Sequence, residues 1–233
     1  MPGTGRLTGM DDEIRSARER GWRELDEIDR ALERGEIDAA GWHARTTDLT
    51  EASYLSADTP QGQSGHSGDA DRWEQARRLV LDACQRPGSF LDVGCANGLL
   101  MESVARWSDG AVEPYGVEIS AGLADLARRR CPQWTGRIWT ANAADWSPGR
   151  TFTYVRSGLD YVPAAHRAAY VAKLLDLVEP GGRLIIGTFN EETDEPRTAE
   201  ALQDWGFAVA GSGTREHRHP RLSYRVVWVS RAD

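Results

Sequence analysis

Leu91-Asp92-Val93-Gly94-Cys95-Ala96-Asn97-Gly98 is the stretch on which the reading of this chain turns. A short apolar run over 89–93 meets a glycine turn, and a helical pattern, Leu99–Trp107, starts directly after it. In open α/β sheets, ligands bind outside the carboxyl ends of the strands, where such turns sit. Gly94 lets the backbone come close to a ligand, and Gly98 lets the turn close onto the next helix. The helix start presents free N–H groups, which suit a carboxylate or phosphate. A dinucleotide fingerprint needs GxGxxG. Counted from Gly94, this chain has Ala96 and Leu99 where the other glycines belong, which damages a nicotinamide or flavin reading. A P-loop is excluded, since no Gly-Lys-Ser/Thr follows.

Around the turn, strands and helices alternate. Strands are expected at 89–93, 115–118, 137–140, 153–157 and 183–189, with helices at 73–85, Leu99–Trp107, Ala121–Arg130, 164–178 and 195–205. This alternation implies a parallel sheet with helices on both faces. Two last strands, at 207–210 and 224–230, have no helix between them and should form an antiparallel hairpin at one edge. Glu179-Pro180-Gly181-Gly182 reads as a turn into a buried central strand.

Upstream, residues 1–9 are rich in glycine and threonine and read as disordered. A helical period runs from Asp11 to Arg34, with Gly35 to end it, and a weaker one from Asp38 to Tyr54. The polar stretch 56–71 is a loop of the kind that is either functional or a linker. The expected organisation is an N-terminal helical extension and loop over 1–71, a candidate lid, and a main domain over 72–233.

The 233 residues carry a formal charge of −8. Much of the acid lies in residues 1–60, where 14 Asp and Glu face eight arginines. An acidic balance argues against a protein built to hold long nucleic acid, which needs a basic footprint. No apolar run approaches bilayer length, so no membrane span is expected. The opening residues lack the apolar core of a secretion signal. Cys84, Cys95 and Cys131 match no zinc spacing and fit a reduced, cytoplasmic setting, and no metal site is expected.

The glycine turn, with Tyr115-Gly116-Val117-Glu118 closing the next strand on an acid, resembles class I S-adenosylmethionine-dependent methyltransferases of the small-molecule type. The resemblance covers 72–230 and rests on several motifs in the right order. It implies a Rossmann-like, seven-stranded, mostly parallel α/β sheet with an antiparallel C-terminal hairpin. It also implies S-adenosyl-L-methionine as cofactor and transfer of its methyl group to an oxygen or nitrogen of a small-molecule acceptor. By that resemblance Asp92 and Gly94 surround the methionine part of the cofactor, and the backbone around Cys95 and Gly98 lines the turn. Glu118 takes both ribose hydroxyls, as an acceptor-only carboxylate can. Asp145 accepts from the adenine amino group, with Asn142 and Ala143 beside the ring. Ile119 and Trp146 offer it apolar faces, although Trp146 reads equally well as core. Ser157 and Gly158 border the cofactor, and Asp160 and Tyr161 face the acceptor.

Asp160 has a competing reading as the cap of the helix near Pro163, since Asp is a common helix cap. If a general base is used, the candidates are Asp160, His66 and His166. His66 and His166 also read as solvent-facing residues. His217 and His219 lie in a basic segment that either meets an anionic substrate or is a solvated hairpin loop. A nucleic-acid methyltransferase, a cofactor-binding protein without transferase activity and a nucleotide-dependent oxidoreductase are the competing functions.

Overall fold

The computed structural model describes residues 23–66, 68–188, 198–217 and 223–232. Expectations at 1–22, 67, 189–197 and 218–222 lie outside the described residues. They include the disordered start, the first half of the first helix, the opening of the 195–205 helix, and His219.

Two compact units divide the chain, one ending at Ala52 and the other beginning at Ser53. In the first, a helix over 23–33 (α1) is followed by Gly35 at φ +70° and then by α2, Ala39–Leu55. Gly35 ends α1 because its left-handed backbone costs no Cβ strain. The two helices are tied where the indole of buried Trp42 donates to Asp29 Oδ1 at 2.7 Å.

The second unit contains a seven-stranded sheet in the order β3-β2-β1-β4-β5-β7-β6. Its strands are β1 Gly88–Val93, β2 Val112–Glu118, β3 Ile138–Thr140, β4 Phe152–Ser157, β5 Val178–Thr188, β6 Val209–Glu216 and β7 Ser223–Ser230. The first five pair in parallel, and β7 pairs antiparallel with both β5 and β6. The helices are α3 Ala70–Arg77, α4 Leu99–Trp107, α5 Ala121–Arg130, α6 Arg167–Asp176 and α7 Thr198–Asp204.

Strand alternation sends neighbouring residues to opposite faces. Leu91, Val155 and Leu184 pack on one face with Val171 and Leu174 of α6. Phe90, Tyr154 and Ile185 pack on the other with Leu79, Leu100 and Val104. Both faces of the central strands are therefore covered, as a parallel sheet requires.

The connections run outward from β1 to β3 on one side, then return to β4 on the other. This reversal leaves a crevice above the carboxyl ends of β1 and β4. Residues 94–98 and 158–161 leave the sheet there.

Several expected elements differ in detail. The 164–178 helix opens as a 3-10 turn, Ala164–His166, and ends at Asp176, with Val178 already in β5. The 73–85 helix is α-helical only to Arg77 and continues as a 3-10 helix, Arg78–Ala83. The turn at Glu179–Gly182 lies inside β5, as an irregularity that shifts the register between Phe152 and Tyr154. The hairpin strand at 207–210 proves to be β6, which runs on through a glycine-containing stretch to Glu216. Among the described residues, no helix is long and apolar enough to cross a membrane.

Candidate active site

The turn after β1 winds through three left-handed residues, Gly94 (φ +71°), Ala96 (φ +46°) and Gly98 (φ +76°). The Ala96 amide donates to Glu118 Oε2 at 2.8 Å, and the Ser120 amide donates to Oε1 at 3.0 Å. Glu118, the last residue of β2, is thus a carboxylate held by backbone donors from two successive turns. Burial pushes its carboxyl upward, while the amides of Ser120 and Ala96 pull it back. Two amide bonds leave acceptor capacity on both oxygens, enough for a pair of hydroxyl donors. Beside it, Ile119 is 37% exposed, one of two large apolar residues so placed among the described residues. Carboxylate, glycine turn and exposed apolar face fit a ribose and an adenine ring.

An alanine in the left-handed region costs roughly 1 kcal/mol in steric strain. Ala96→Gly is therefore expected to stabilise the fold by about 0.5 kcal/mol after the extra freedom of the unfolded glycine is counted. The measurement is thermal unfolding, where a rise of roughly 1–2 °C is expected. A fall in the midpoint would show that the turn carries no strain.

Asp92 lies opposite Arg156 in the β1–β4 register, so both side chains leave the same face. Arg156 donates to Asp92 Oδ1 at 3.0 Å and to the Tyr161 hydroxyl at 3.3 Å. Burial pushes the Asp92 carboxyl up to about 6 against the opposing pull of Arg156. Burial also pushes the Tyr161 phenol up to about 12. The Tyr161 ring lies over Gly94, where a Cβ would come within 2.7 Å of it. Gly94 thereby lets the segment after β4 close against the turn after β1.

Other expected residues divide. The Ser157 hydroxyl is fully buried and shares a 2.8 Å hydrogen bond with Tyr170. Gly158 is buried, and a Cβ there would collide with Asp160 Oδ1. Asp160 itself is exposed, and neither helix that follows it takes a side-chain cap. His166, which ends the 3-10 turn Ala164–His166, is exposed. His66 is 3% exposed and sits edge-on to Trp73, with ring centroids 5.7 Å apart, so it is no surface histidine. Cys95 is buried and its thiol is pushed well up by burial, which removes it as a nucleophile.

After β3, Asn142 Oδ1 accepts from the Ala144 amide at 3.0 Å and organises the turn. Ala143 is buried in the core and Asp145 is exposed. Trp146 packs on Trp139, 5.1 Å between centroids, and joins the core beneath the turn. His217 lies 5.0 Å from the Tyr224 ring, and its Nε2 is 3.3 Å from the Arg72 guanidinium.

Three residues without an expected role stand in or beside this site. Arg156 was legible as a charge inside an apolar strand, which calls for a buried partner. Arg77 of α3 is buried with its guanidinium 4.9 Å from the Trp73 ring, and burial, reinforced by Arg156, lowers it to about 9. Burial raises the phenol of Tyr54, and Tyr161, Asp160 and Glu118 all reinforce the rise. No sequence pattern marks these last two.

The methyltransferase domain family matches residues 67–225. The chain belongs to that family. Demethylmenaquinone methyltransferase of Symbiobacterium thermophilum is 31% identical over 125 residues, 50% of this chain and 49% of that protein. The Renibacterium salmoninarum protein of the same name is 30% identical over 132 residues, 55% and 52% of the two chains. The chain thus spans about half the length of the curated relatives it matches.

Among solved structures, the N-methyltransferase NodS of Bradyrhizobium japonicum, in complex with S-adenosylhomocysteine, superposes with a TM-score of 0.62 at 16% identity, covering 80% of this chain and 98% of that one. The Burkholderia thailandensis 1,6-didemethyltoxoflavin-N1-methyltransferase gives 0.63 at 18%, with 84% and 92% covered. The [4+2]-cyclase SpnF gives 0.57 at 14%, with 78% and 93% covered. These likenesses establish the class I S-adenosylmethionine-dependent methyltransferase fold.

Proposed function

We propose that the chain transfers the methyl group of S-adenosyl-L-methionine to an oxygen or nitrogen of a small-molecule acceptor. The observation that carries this reading is the Glu118 carboxylate, fixed by the Ala96 and Ser120 amides across from the glycine turn. Family membership and the names of the relatives support the same assignment.

When bound, the cofactor supplies an electrophilic methyl on a sulfonium. The protein's task is alignment and exclusion of water. In this proposal Glu118 holds the ribose, Ile119 lies against the adenine, and Asp145 meets its amino group. Asp92, Gly94, Cys95 and Gly98 face the methionine end, and Asn142, Ala143 and Trp146 support the adenine side. Gly158 and the backbone of Ser157 border the donor. Tyr161 lies between donor and acceptor. Asp160, at the mouth beside Gly158, removes the acceptor's proton, with His66 and His166 as the other candidate bases. The acidic balance, −8 overall, favours a small acceptor over a nucleic acid. Three cysteines without disulfides support a cytoplasmic setting.

Calorimetry with S-adenosylmethionine, S-adenosylhomocysteine and NAD tests the cofactor. A product assay over phenolic, quinol, amine and RNA acceptors tests the chemistry. Binding of the first two with methylated product from a small acceptor is expected. Tight NAD binding, or cofactor binding without any methylated product, would overturn the reading.

A further inference from the structure

Asn97 is fully buried, and its side-chain amide is divided between two tasks. Its Oδ1 accepts from the Leu99 amide, the first of α4, at 3.1 Å. Its Nδ2 donates 2.8 Å to the carbonyl of Pro60, 37 residues upstream. One side chain therefore joins the cofactor turn to the polar segment before α3.

That segment has a structure of its own. Gln63 Nε2 donates to the Ala57 carbonyl at 3.1 Å, and the Gly65 and His66 amides donate to Gly62 and Gln61 at 3.0 and 2.9 Å. Its far end rests on aromatic residues. Gly65 has φ +76°, and a Cβ there would collide with the Tyr54 hydroxyl. His66 is buried against Trp73. One end thus meets the glycine turn, and the other meets Tyr54, whose electrostatic neighbours include Tyr161, Asp160 and Glu118. Residues 58–66, Asp-Thr-Pro-Gln-Gly-Gln-Ser-Gly-His, contain no large aliphatic side chain. The hydrogen bonds of Gln63, Gly65 and His66 are internal to the segment, and the Asn97 amide ties it to the cofactor turn. Segments with few apolar contacts open at low cost.

We propose that residues 57–66 are a strap across the methyl donor and that Asn97 is the positioning residue that clasps it. This rests on the methyltransferase reading above. The strap excludes water from the sulfonium and sets the rate of cofactor release, the role that closing loops play in other enzymes. Asn97 couples the two events, since the side chain that holds the first amide of α4 at the cofactor turn also holds the cover down.

Asn97→Ser and Asn97→Asp separate the contact with Leu99 from the clasp. Both keep an oxygen for the Leu99 amide. An aspartate has no donor, and a serine hydroxyl is too short to reach the Pro60 carbonyl as well, so both lose that bond, one with and one without added charge. The probes are hydrogen exchange of the 57–66 amides in ligand-free protein and stopped-flow release of S-adenosylhomocysteine. Both variants are expected to exchange faster across 57–66 and to release S-adenosylhomocysteine about tenfold faster, the effect of one lost buried hydrogen bond. Unchanged exchange would overturn the clasp. Faster exchange with release within twofold of wild type would overturn the cover. Faster release with unchanged exchange would mean that Asn97 acts through the turn alone, which also overturns the proposal. Wild-type protein that binds no S-adenosylhomocysteine would overturn the methyltransferase reading and the strap's role with it, an outcome distinct from the other three.

Discussion

Glu118→Ala is expected to weaken S-adenosylmethionine binding by more than tenfold, a loss above about 1.4 kcal/mol. Two effects add. On the proposed reading the ribose hydroxyls lose their acceptor, and the glycine turn loses its anchor. The Ala96 and Ser120 amides, which donate to Glu118 at 2.8 and 3.0 Å, are left buried without it. Each such orphan costs about 1–3 kcal/mol, so the variant should also melt at a lower temperature. Glu118→Gln is no conservative control, because its amide nitrogen would face a backbone N–H that it cannot accept. It is expected to fall between alanine and wild type. Calorimetry on folded variants decides the matter. Unchanged affinity in a folded alanine variant would remove Glu118 from the site.

The readability of this site in sequence follows from where its information is stored. The turn Asp92–Gly98 and the acid Glu118 sit at the ends of strands, where hydropathy switches to glycine and charge within a few residues. Local patterning therefore announces both, and α4 and α5 have the bounds their periodicity gives. Other features depend on long-range pairing, whose partners local patterning does not name. Arg156 meets Asp92 only because β4 returns beside β1. The clasp from Asn97 to Pro60 depends on where the strap lands. Nothing in a polar, glycine-rich stretch specifies that. Tyr54 and Arg77 are similar cases, an aromatic and a cation on helices whose sequence resembles any charged surface helix.

The readings left open between two roles divide for a physical reason too. Trp146 follows β3, so backbone position alone allows it either to cover a ligand or to fold back on the sheet, and it packs on Trp139. His66 is surrounded by glycine and serine, which reads as solvent-exposed, yet Trp73 of α3, seven residues on, packs against it. Strand β6 reads shorter in sequence than it is because its glycines depress strand propensity. It forms as the outermost strand of the sheet, where pairing to β7 alone suffices and most side chains face solvent.

Arg156→Met is expected to destabilise the fold by about 3 kcal/mol at neutral pH, because removing one partner of a buried pair leaves the other uncompensated. The Asp92 and Arg156 side chains are 1% and 7% exposed, so water cannot take over the lost role. The sign of the pH dependence follows from Asp92. Its folded value, about 6, already lies above its usual value of 3.8. Stability from the neutral carboxyl is therefore present below the unfolded value and is lost as pH rises through the folded one. Without Arg156 the ionised form loses its cation, and the folded value rises further. The loss relative to wild type should be small near pH 4–5, where Asp92 is protonated in both proteins, and largest above pH 7. Asp92→Asn added to Arg156→Met removes the buried charge and should recover much of the stability. Urea unfolding at pH 5 and pH 8 reads this directly. A loss equal at both values, or larger in acid, would show that Arg156 acts through its contact with Tyr161 and that the charge on Asp92 is not what it balances.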